Sequence, residues 1–299
     1  MSRAAAPRAA AWPALALVFN AFTWGVSWWP FRELQARGLH PLWATAMIYV
    51  VAAAALALAR PAALREVARH RGLWMLVLGS GFTNAAFNWG VTIGDVVRVV
   101  LLFYLMPLWA LLLARLVLRE PLGVHAVVRV ALALGGAAVV LWPDGGGWPL
   151  PRTPAEWLGV AGGFSFALNN VMLRHQAHRS EVARGLAMFV GGATVAGALA
   201  ATQAAAPALA QAAAWAPGAA ALALWFVASN LALQFGAARL RASTTAVVMV
   251  SEVLFASVSA IALGAGTLGP RVAIGGALIV LAAVLAAAPG AQRERGARG

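Results

Sequence analysis

The segment FTNAAFNWG, residues 82–90, has a counterpart 146 positions later in ASNLALQFG, residues 228–236. In both copies a small polar residue and an Asn are followed by small or apolar residues, a second amide, an aromatic residue and Gly. Asn84 and Asn88 are thereby in register with Asn230 and Gln234. Each segment lies within an apolar run long enough to cross a bilayer, for which a helix needs about 20 residues. The pair predicts a membrane protein built from two related halves.

The composition fits a chain that sits in lipid rather than in water. Of its 299 residues 62% are hydrophobic and only 10% are charged, and the mean hydropathy is +0.81. A soluble domain carries about 25% charged residues. Cysteine is absent, which excludes a disulfide framework and thiolate chemistry. The net charge of +13 comes from arginine alone, and we attribute it to membrane topology rather than to nucleic-acid binding.

Ten apolar runs qualify as membrane-spanning helices. Trp and Arg cluster near the ends of these runs, where aromatic rings and snorkelling guanidinium groups favour the membrane interface. We therefore predict an all-α integral membrane protein with ten transmembrane helices, arranged as two inverted five-helix repeats around a central cavity. The runs are residues 12–31, 41–59, 73–91, 97–118, 124–142, 157–173, 185–206, 219–236, 244–265 and 272–288.

The placement of arginine predicts the orientation of the helices. With the N-terminus in the cytoplasm, 17 arginines fall in cytoplasmic segments and 5 on the other side. The positive-inside rule then places both termini in the cytoplasm. The first run follows two arginines as a signal peptide does, but it is long, carries polar residues and lacks a clear cleavage site, so we interpret it as a retained helix. Asp95 and Arg98, in an outer loop, predict a surface ion pair.

A second match supports the division into halves. Residues 22–24, FTW, correspond to residues 164–166, FSF, at an offset of 142, and Ser27 corresponds to Asn169. The Pro- and Gly-rich stretch PDGGGWPLP, residues 143–151, separates the two copies. We predict a first repeat over residues 1–147 and a second over residues 148–299, each with five helices. Because five is an odd number, the second copy enters the membrane from the opposite face.

Several motifs resemble those of a known family. They are Trp24-Gly25 in the first run, REPL at residues 119–122, SEV at residues 251–253 and GALI at residues 276–279. Together with the ten runs and two halves, their order resembles the drug/metabolite transporter superfamily, specifically its ten-helix members with two EamA-type repeats. Within it the chain looks most like the bacterial YddG-type exporters of aromatic and other neutral amino acids. The second copy departs from the pattern, with Gly266 where the first has Glu120.

The resemblance implies a multi-pass protein of the bacterial inner membrane that works by alternating access. It also implies that the protein acts as a monomer, needs no cofactor or metal, and binds a small-molecule substrate within the lipid bilayer. No nucleic acid is expected as a partner.

Polar side chains inside the apolar runs predict where a cavity lies, because they are costly in lipid unless they face water or a partner. In the first run Asn20, Trp24 and Ser27 share one helical face. Similar stripes lie in the third, sixth and eighth runs. The alternative is that these side chains only bond helices together, at about 0.6 kcal/mol per contact. The predicted cavity residues are Asn20, Trp24, Ser27, Asn84, Asn88, Tyr104, Phe166, Asn169, Asn170, Asn230, Gln234 and Glu252.

Glu252 is the one acid that lies well inside an apolar run, and its counterpart in the first repeat is Met106. A carboxylate at that depth needs a partner or water. Proton coupling, a neutral buried acid and a packing role all remain open for it. Pro107 follows Met106 and removes the hydrogen bond to the carbonyl of Phe103, which predicts a kink and makes Pro107 a candidate hinge.

The predicted lining contains amide, hydroxyl and aromatic groups, one acid and no cation in mid-membrane. It disfavours phosphorylated substrates, which call for Arg or Lys, and suits neutral or zwitterionic solutes with an apolar part. We expect an exporter of amino acids or similar small metabolites. The alternative is a broad drug or quaternary-cation exporter that uses Glu252 and aromatic walls. An enzyme is not expected, because no metal-site or nucleophile motif is present.

Overall fold

The computed structural model describes residues 8–117, 124–143, 145, 148–207, 209–237, 239 and 248–287. Within these residues the secondary structure is helical. The α-helices are α1 (Arg8–Val26), α2 (Trp28–Ala36), α3 (Pro41–Ala59), α4 (Pro61–Arg69), α5 (Arg71–Ile93), α6 (Val96–Phe103), α7 (Met106–Val117), α8 (Val124–Leu141), α9 (Pro154–His175), α10 (Glu181–Gln203), α11 (Ala212–Ala237), α12 (Ser251–Ala262) and α13 (Pro270–Ala287). A 3-10 turn at Leu209–Gln211 precedes α11.

Several helices are apolar enough for a bilayer. By length and composition, four described segments could cross a membrane, namely Pro41–Ala59, Val96–Val117, Glu181–Gln203 and Ala212–Leu233. The apolar parts of α8, α12 and α13 are shorter. Helices α5 and α9 have comparable lengths, but Asn, Ser and Thr interrupt their apolar sequence. An all-helical protein with apolar spans is therefore what the structure and the sequence both indicate.

The described helices outnumber the ten predicted runs for three reasons. The first run is divided at Ser27 into α1 and α2, and the fourth is divided at Tyr104 and Leu105 into α6 and α7. The short helix α4 lies between α3 and α5, in the segment that connects the predicted runs 41–59 and 73–91. The periodicity of apolar residues does not register such breaks, because the run stays apolar across them.

The course of α5 defines two ends of the bundle. It begins beside α4 and finishes at the connection that carries Asp95, and a helix of this length spans about 35 Å. We call the end with α4 the Arg65 end. The opposite end carries Asp95, Arg98 and Glu156 and is called the Glu156 end below.

Side-chain caps fix where α9 and α10 begin. Thr153 and Glu156 form a capping box at the start of α9, with Pro154 in the first turn. The Ser180 side chain accepts a hydrogen bond from the Ala183 amide and caps α10. These caps satisfy backbone donors that would otherwise be unpaired where the two helices begin.

Small residues let the central helices approach closely, as is common for helices packed in lipid. Helix α5 packs against both α9 and α10. A Cβ atom at Gly191 of α10 would overlap the Val77 carbonyl of α5. Helices α8 and α13 cross at Gly136 and Gly275, each of which faces the other's carbonyl oxygen.

Candidate functional site

Two helix interruptions meet between the ends of the bundle. Tyr104 and Leu105 form a turn between α6 and α7, and Val250 forms a turn directly before α12, 146 positions after Tyr104. The Tyr104 hydroxyl lies 3.2 Å from the Met249 carbonyl oxygen and 3.3 Å from Oε2 of Glu252, and it can donate its one hydrogen to either. Irregular backbone at membrane depth is tolerated where it is buried in protein or lines a cavity.

The first interruption lies just before Pro107 rather than at it. Helix α7 begins at Met106, so Pro107 occupies its first turn, where a missing N–H removes no helical hydrogen bond. Pro107 has no N–H to donate to the Phe103 carbonyl. This carbonyl faces α9, where a Cβ atom at Gly163 would overlap it. A break thus stands where the sequence predicted a kink, and the hinge role of Pro107 stays a prediction.

Glu252 belongs to the first turn of α12 and is 8% exposed. Its carboxyl group faces the Tyr104 hydroxyl, and Tyr104 and the neighbouring Val253 belong to the same large apolar core. The carboxyl group of the second half therefore meets the phenol of the first half at the interruption.

Aromatic rings form a continuous cluster around this meeting point. Phe103 lies 5.4 Å from Phe166 and 4.9 Å from Phe87 between ring centroids, and Phe87 lies 6.1 Å from Trp24. Tyr104 adjoins Phe103 at 6.2 Å. We call these five residues the aromatic cluster. Edge-to-face geometry dominates its contacts, as is favourable for aromatic pairs.

Three members of the aromatic cluster were expected from sequence, namely Trp24, Tyr104 and Phe166. Phe87 and Phe103 were missed. Phe87 had a signal, because it lies next to Asn88 inside the repeated segment. Phe103 had one as well, because its carbonyl is the one that Pro107 leaves without an amide donor.

Two predicted amides on α5 are engaged with α3. The Tyr49 hydroxyl donates to Oδ1 of Asn84 at 2.5 Å, and Nδ2 of Asn88 donates to Oγ1 of Thr45 at 3.0 Å. Both contacts are interhelical hydrogen bonds, which is what the packing interpretation of these amides expects.

Asn20 makes the corresponding contact between α1 and α11. Its Nδ2 atom lies 3.0 Å from the carbonyl oxygen and 2.7 Å from Oγ of Ser229. Ser27 is buried at the α1–α2 interruption, where its hydroxyl donates to the Trp24 carbonyl at 2.9 Å. Asn230 is partly buried on α11, and the side chain of Gln234 lies outside the described residues.

Asn169 and Asn170 take different positions on α9. Asn169 is 3% exposed and packs where α9 crosses Gly79 of α5. Asn170 is exposed, and it shares a helical face with Phe166 one turn away. That face points away from the side of α9 on which Trp157 and Phe164 are exposed. Asn170 therefore lies one helical turn nearer the Arg65 end than Phe166.

Three buried amide oxygens have no hydrogen-bond donor within the described part of the chain. They are the Oδ1 atoms of Asn20, Asn88 and Asn169. Buried polar atoms in proteins are normally hydrogen-bonded to protein or water. These oxygens can therefore accept hydrogen bonds from water or from the N–H groups of a solute.

The Glu156 end holds an ion pair that the sequence did not predict. Nη1 of Arg98 lies 2.8 Å from Oε1 of Glu156, and Oε2 of Glu156 accepts from the backbone amides of Arg152 and Thr153 at 2.8 and 3.2 Å. Asp95 instead caps α6 and accepts two hydrogen bonds from Thr267, at 2.9 and 3.1 Å. The expected Asp95–Arg98 surface pair is replaced, because the Arg98 guanidinium turns to Glu156.

The Glu156 carboxyl group lies outside the predicted spans. Burial raises its pKa, but the hydrogen bonds from Arg152, Thr153 and Arg98 and the charge of Arg98 outweigh burial and hold the pKa below its ordinary value of 4.5. A cavity of about 230 Å³ opens beside this pair and is lined in part by Trp142, Leu150 and Arg152.

Residues 11–142 match the EamA-like transporter family. The matched part falls within the first predicted repeat, and it agrees with the resemblance to the drug/metabolite transporter superfamily. This family consists of membrane transporters of small substrates and not of enzymes. A crystal structure of a protein with 17% sequence identity aligns over 96% of this chain and 99% of its own, with a TM-score of 0.53. That likeness concerns the fold alone. No curated protein matched the sequence significantly.

Proposed function

We propose that this protein is a carrier that exports neutral or zwitterionic solutes with an apolar part by alternating access. Aromatic and other neutral amino acids, the substrates of YddG-type exporters, are the solutes we favour. The observation that carries the proposal is the contact between two helix interruptions 146 positions apart, through Tyr104, Met249 and Glu252. Discontinuous helices at the interface of two repeats form the binding sites of many secondary transporters.

Helix packing supports two inverted repeats, residues 1–147 and 148–299. Helix α1 packs against α11 and α12, and its counterpart α9 packs against α5 and against α6 and α7. The counterparts α3 and α10 pack on each other, as do α8 and α13. If the two halves are exchanged, the contact of α1 with α11 becomes that of α9 with α5, and the contact of α1 with α12 becomes that of α9 with α6 and α7. The α3–α10 and α8–α13 contacts become themselves. With α1–α2 and α6–α7 each taken as one passage, the proposed chain crosses the membrane ten times.

We place the Arg65 end in the cytoplasm and the Glu156 end outside a bacterial inner membrane. Exposed arginines support this orientation, because Arg60, Arg65, Arg69 and Arg71 surround α4 at the Arg65 end. The proposal retains both termini in the cytoplasm.

Contacts at the Glu156 end tie the first half to the second. Arg98 pairs with Glu156, and Asp95 accepts from Thr267. We propose that these bonds close the outer end in this conformation and part when the carrier opens outward.

The aromatic cluster supports the proposed substrate class. Its rings offer an apolar wall, Glu252 offers a carboxyl group for an ammonium, and the unpaired amide oxygens accept N–H donors.

Glu252 beside aromatic rings also supports the alternative, an exporter of quaternary cations, since rings and a carboxylate both attract such ions. Flux into liposomes that contain the purified full-length chain separates the two. We expect saturable flux of labelled phenylalanine and none of labelled tetraethylammonium. The reverse pattern would favour the cation exporter.

A pair of variants on α9 tests the location of the site. Phe166→Ala should lower phenylalanine flux about tenfold, because it removes an interaction of about 1.4 kcal/mol with an aromatic solute. Phe164→Ala is the matched control, since Phe164 is 39% exposed and packs on Trp109 away from the cluster. An equal effect of both variants would place the binding site elsewhere.

A further inference from the structure

Helix α4 has the form of a helix that lies along a membrane surface. It buries Ala63 and Val67, which are 5% and 7% exposed, on the side that packs on α10. At the edge of that side Leu64 is 46% exposed, and Arg65 and Arg69 are exposed on the opposite side of the helix. A short helix with apolar residues on one side and arginines on the other is typical of interfacial helices.

The neighbouring residues extend this pattern. Arg60 and Arg71 are exposed at the two ends of α4. Leu58, at the end of α3, is 83% exposed, and Trp74, in the first turn of α5, is 52% exposed. Trp at such a position is a common anchor at the membrane interface. We call Leu58, Arg60, Leu64, Arg65, Arg69, Arg71 and Trp74 the α4 surface.

The positive charge of the α4 surface is not compensated by nearby carboxylates. Glu66 is the acid on α4, and its carboxylate accepts hydrogen bonds from the amide and hydroxyl of Ser180, at 3.2 and 2.6 Å. The ion pairs found within the described residues involve other arginines, so none of the four arginines of the α4 surface has a carboxylate partner there.

We propose that the α4 surface binds the headgroups of anionic phospholipids, with Leu64 and Trp74 placed among the lipid acyl chains. A phospholipid offers a phosphate to the arginines and hydrocarbon to the leucines and the tryptophan at once. The hydrogen bond between Glu66 and Ser180 links α4 to the start of α10, in the second half. Helix α4 also packs on α3 and α5, in the first half, so a lipid bound to α4 contacts a helix that touches both halves. The proposal does not depend on which solute the protein carries.

Lipid binding can be measured on the full-length protein in a neutral detergent. Fluorescent phosphatidylglycerol and phosphatidylcholine are titrated into the wild type and into Arg65→Gln/Arg69→Gln. Each arginine near an anionic surface contributes about fivefold in affinity, so the double variant should bind phosphatidylglycerol roughly 25-fold more weakly. The matched control is Arg37→Gln/Arg152→Gln, which removes two exposed arginines at the Glu156 end and should bind as the wild type does.

Two further measurements separate a lipid from a soluble anion. Glycerol phosphate should not compete with phosphatidylglycerol, and Leu64→Ser should weaken lipid binding without a change in charge. Equal affinity for both lipids, full competition by glycerol phosphate, or wild-type binding by Arg65→Gln/Arg69→Gln would each overturn the proposal. If that variant fails to fold, Arg60→Gln/Arg71→Gln replaces it with the same expected loss.

Discussion

In the proposed carrier, Glu156→Gln should make the Glu156 end open more often. The substitution removes the charge that pairs with Arg98 at 2.8 Å, while a Gln at this position can still complete the capping box of α9. The change therefore acts on the contact between the two halves and largely spares the start of the helix.

The size of the effect follows from the exposure of the two partners. The Glu156 side chain is 7% exposed and that of Arg98 is 36% exposed. Breaking a fully buried pair costs about 3–5 kcal/mol, whereas an exposed pair contributes about 1 kcal/mol or less. Because water screens Arg98, we assign about 1 kcal/mol, which changes the ratio of open to closed forms about fivefold.

Thiol labelling measures this ratio directly. The native chain has no cysteine, so a single cysteine at position 166 reports on access to the aromatic cluster. When the open form is rare, the rate at which an impermeant maleimide labels this cysteine from outside is proportional to the open population. We expect Phe166→Cys/Glu156→Gln to be labelled about fivefold faster than Phe166→Cys alone.

Glu33→Gln provides the matched control. Glu33 of α2 and Arg37, the residue directly after that helix, lie 3.9 Å apart and are both about half exposed, so their pair does not join the two halves. An unchanged labelling rate in Glu156→Gln, or an equal increase in Glu33→Gln, would refute the assignment of the Arg98–Glu156 pair as an outer closure. Arg98→Gln should match Glu156→Gln, and the two together should add nothing further.

Acid should have the same effect as Glu156→Gln. A carboxyl group whose pKa is depressed in the closed form stabilises that form above its ordinary pKa of 4.5 and loses this contribution as the pH falls through the lower value. Because maleimide reacts with the thiolate, whose fraction itself falls with pH, the labelling rate of Phe166→Cys is divided by that of Phe166→Cys/Glu156→Gln at each pH. This ratio should be constant near neutrality and should rise towards 1 as the pH falls through the depressed pKa of Glu156.

Three other outcomes test the proposed carrier. With single cysteines, an impermeant reagent applied to intact cells should label Trp148→Cys and not Glu66→Cys; the opposite pattern would reverse the proposed orientation. Asn88→Ala and Asn169→Ala should cut flux strongly but lower stability by only about 0.6 kcal/mol in thermal unfolding, and a parallel loss of folded protein would leave these amides a packing role alone. We expect Glu252→Gln to retain both exchange and net flux, as in a facilitator; loss of pH-driven accumulation with exchange retained would instead identify Glu252 as a proton carrier.

Much of the architecture could be predicted because lipid imposes a simple rule. A helix must be apolar over about 20 residues to cross the bilayer, so runs such as residues 41–59 coincide with α3 to the residue. The interruptions at Ser27 and at Tyr104–Leu105 could not be found in this way, since they need no change in hydropathy. Pro107 indicated that a break was near, but its exact position depends on the close approach of Gly163 on α9, which is a tertiary contact.

The candidate site was only partly accessible to sequence reasoning. Helical spacing identifies which polar residues share a face, but it does not show whether that face meets a cavity or a neighbouring helix. Asn84 faces Tyr49 and Asn88 faces Thr45. Thr45 and Tyr49 have the same four-residue spacing as the two amides, but spacing within one helix does not show which neighbouring helix it meets. Phe87 and Phe103 were overlooked although each lies at a marked position, Phe87 next to Asn88 and Phe103 four residues before Pro107.

The bond between Tyr104 and Glu252 shows how two similar halves have become chemically different. In the proposed repeat, the counterpart of Tyr104 is Val250 and that of Glu252 is Met106. Each half therefore supplies one polar group and lacks the other, and the two groups meet across the interruption. If the two inverted repeats exchange their backbone conformations during transport, their side chains at this point still differ, because Tyr104 has no counterpart hydroxyl and Glu252 has no counterpart carboxyl group. Tyr104 lies in the turn between α6 and α7, and Glu252 lies in the first turn of α12. A movement that parts the interruptions would then free the phenol and the carboxyl together, at the moment when a solute could bind to both.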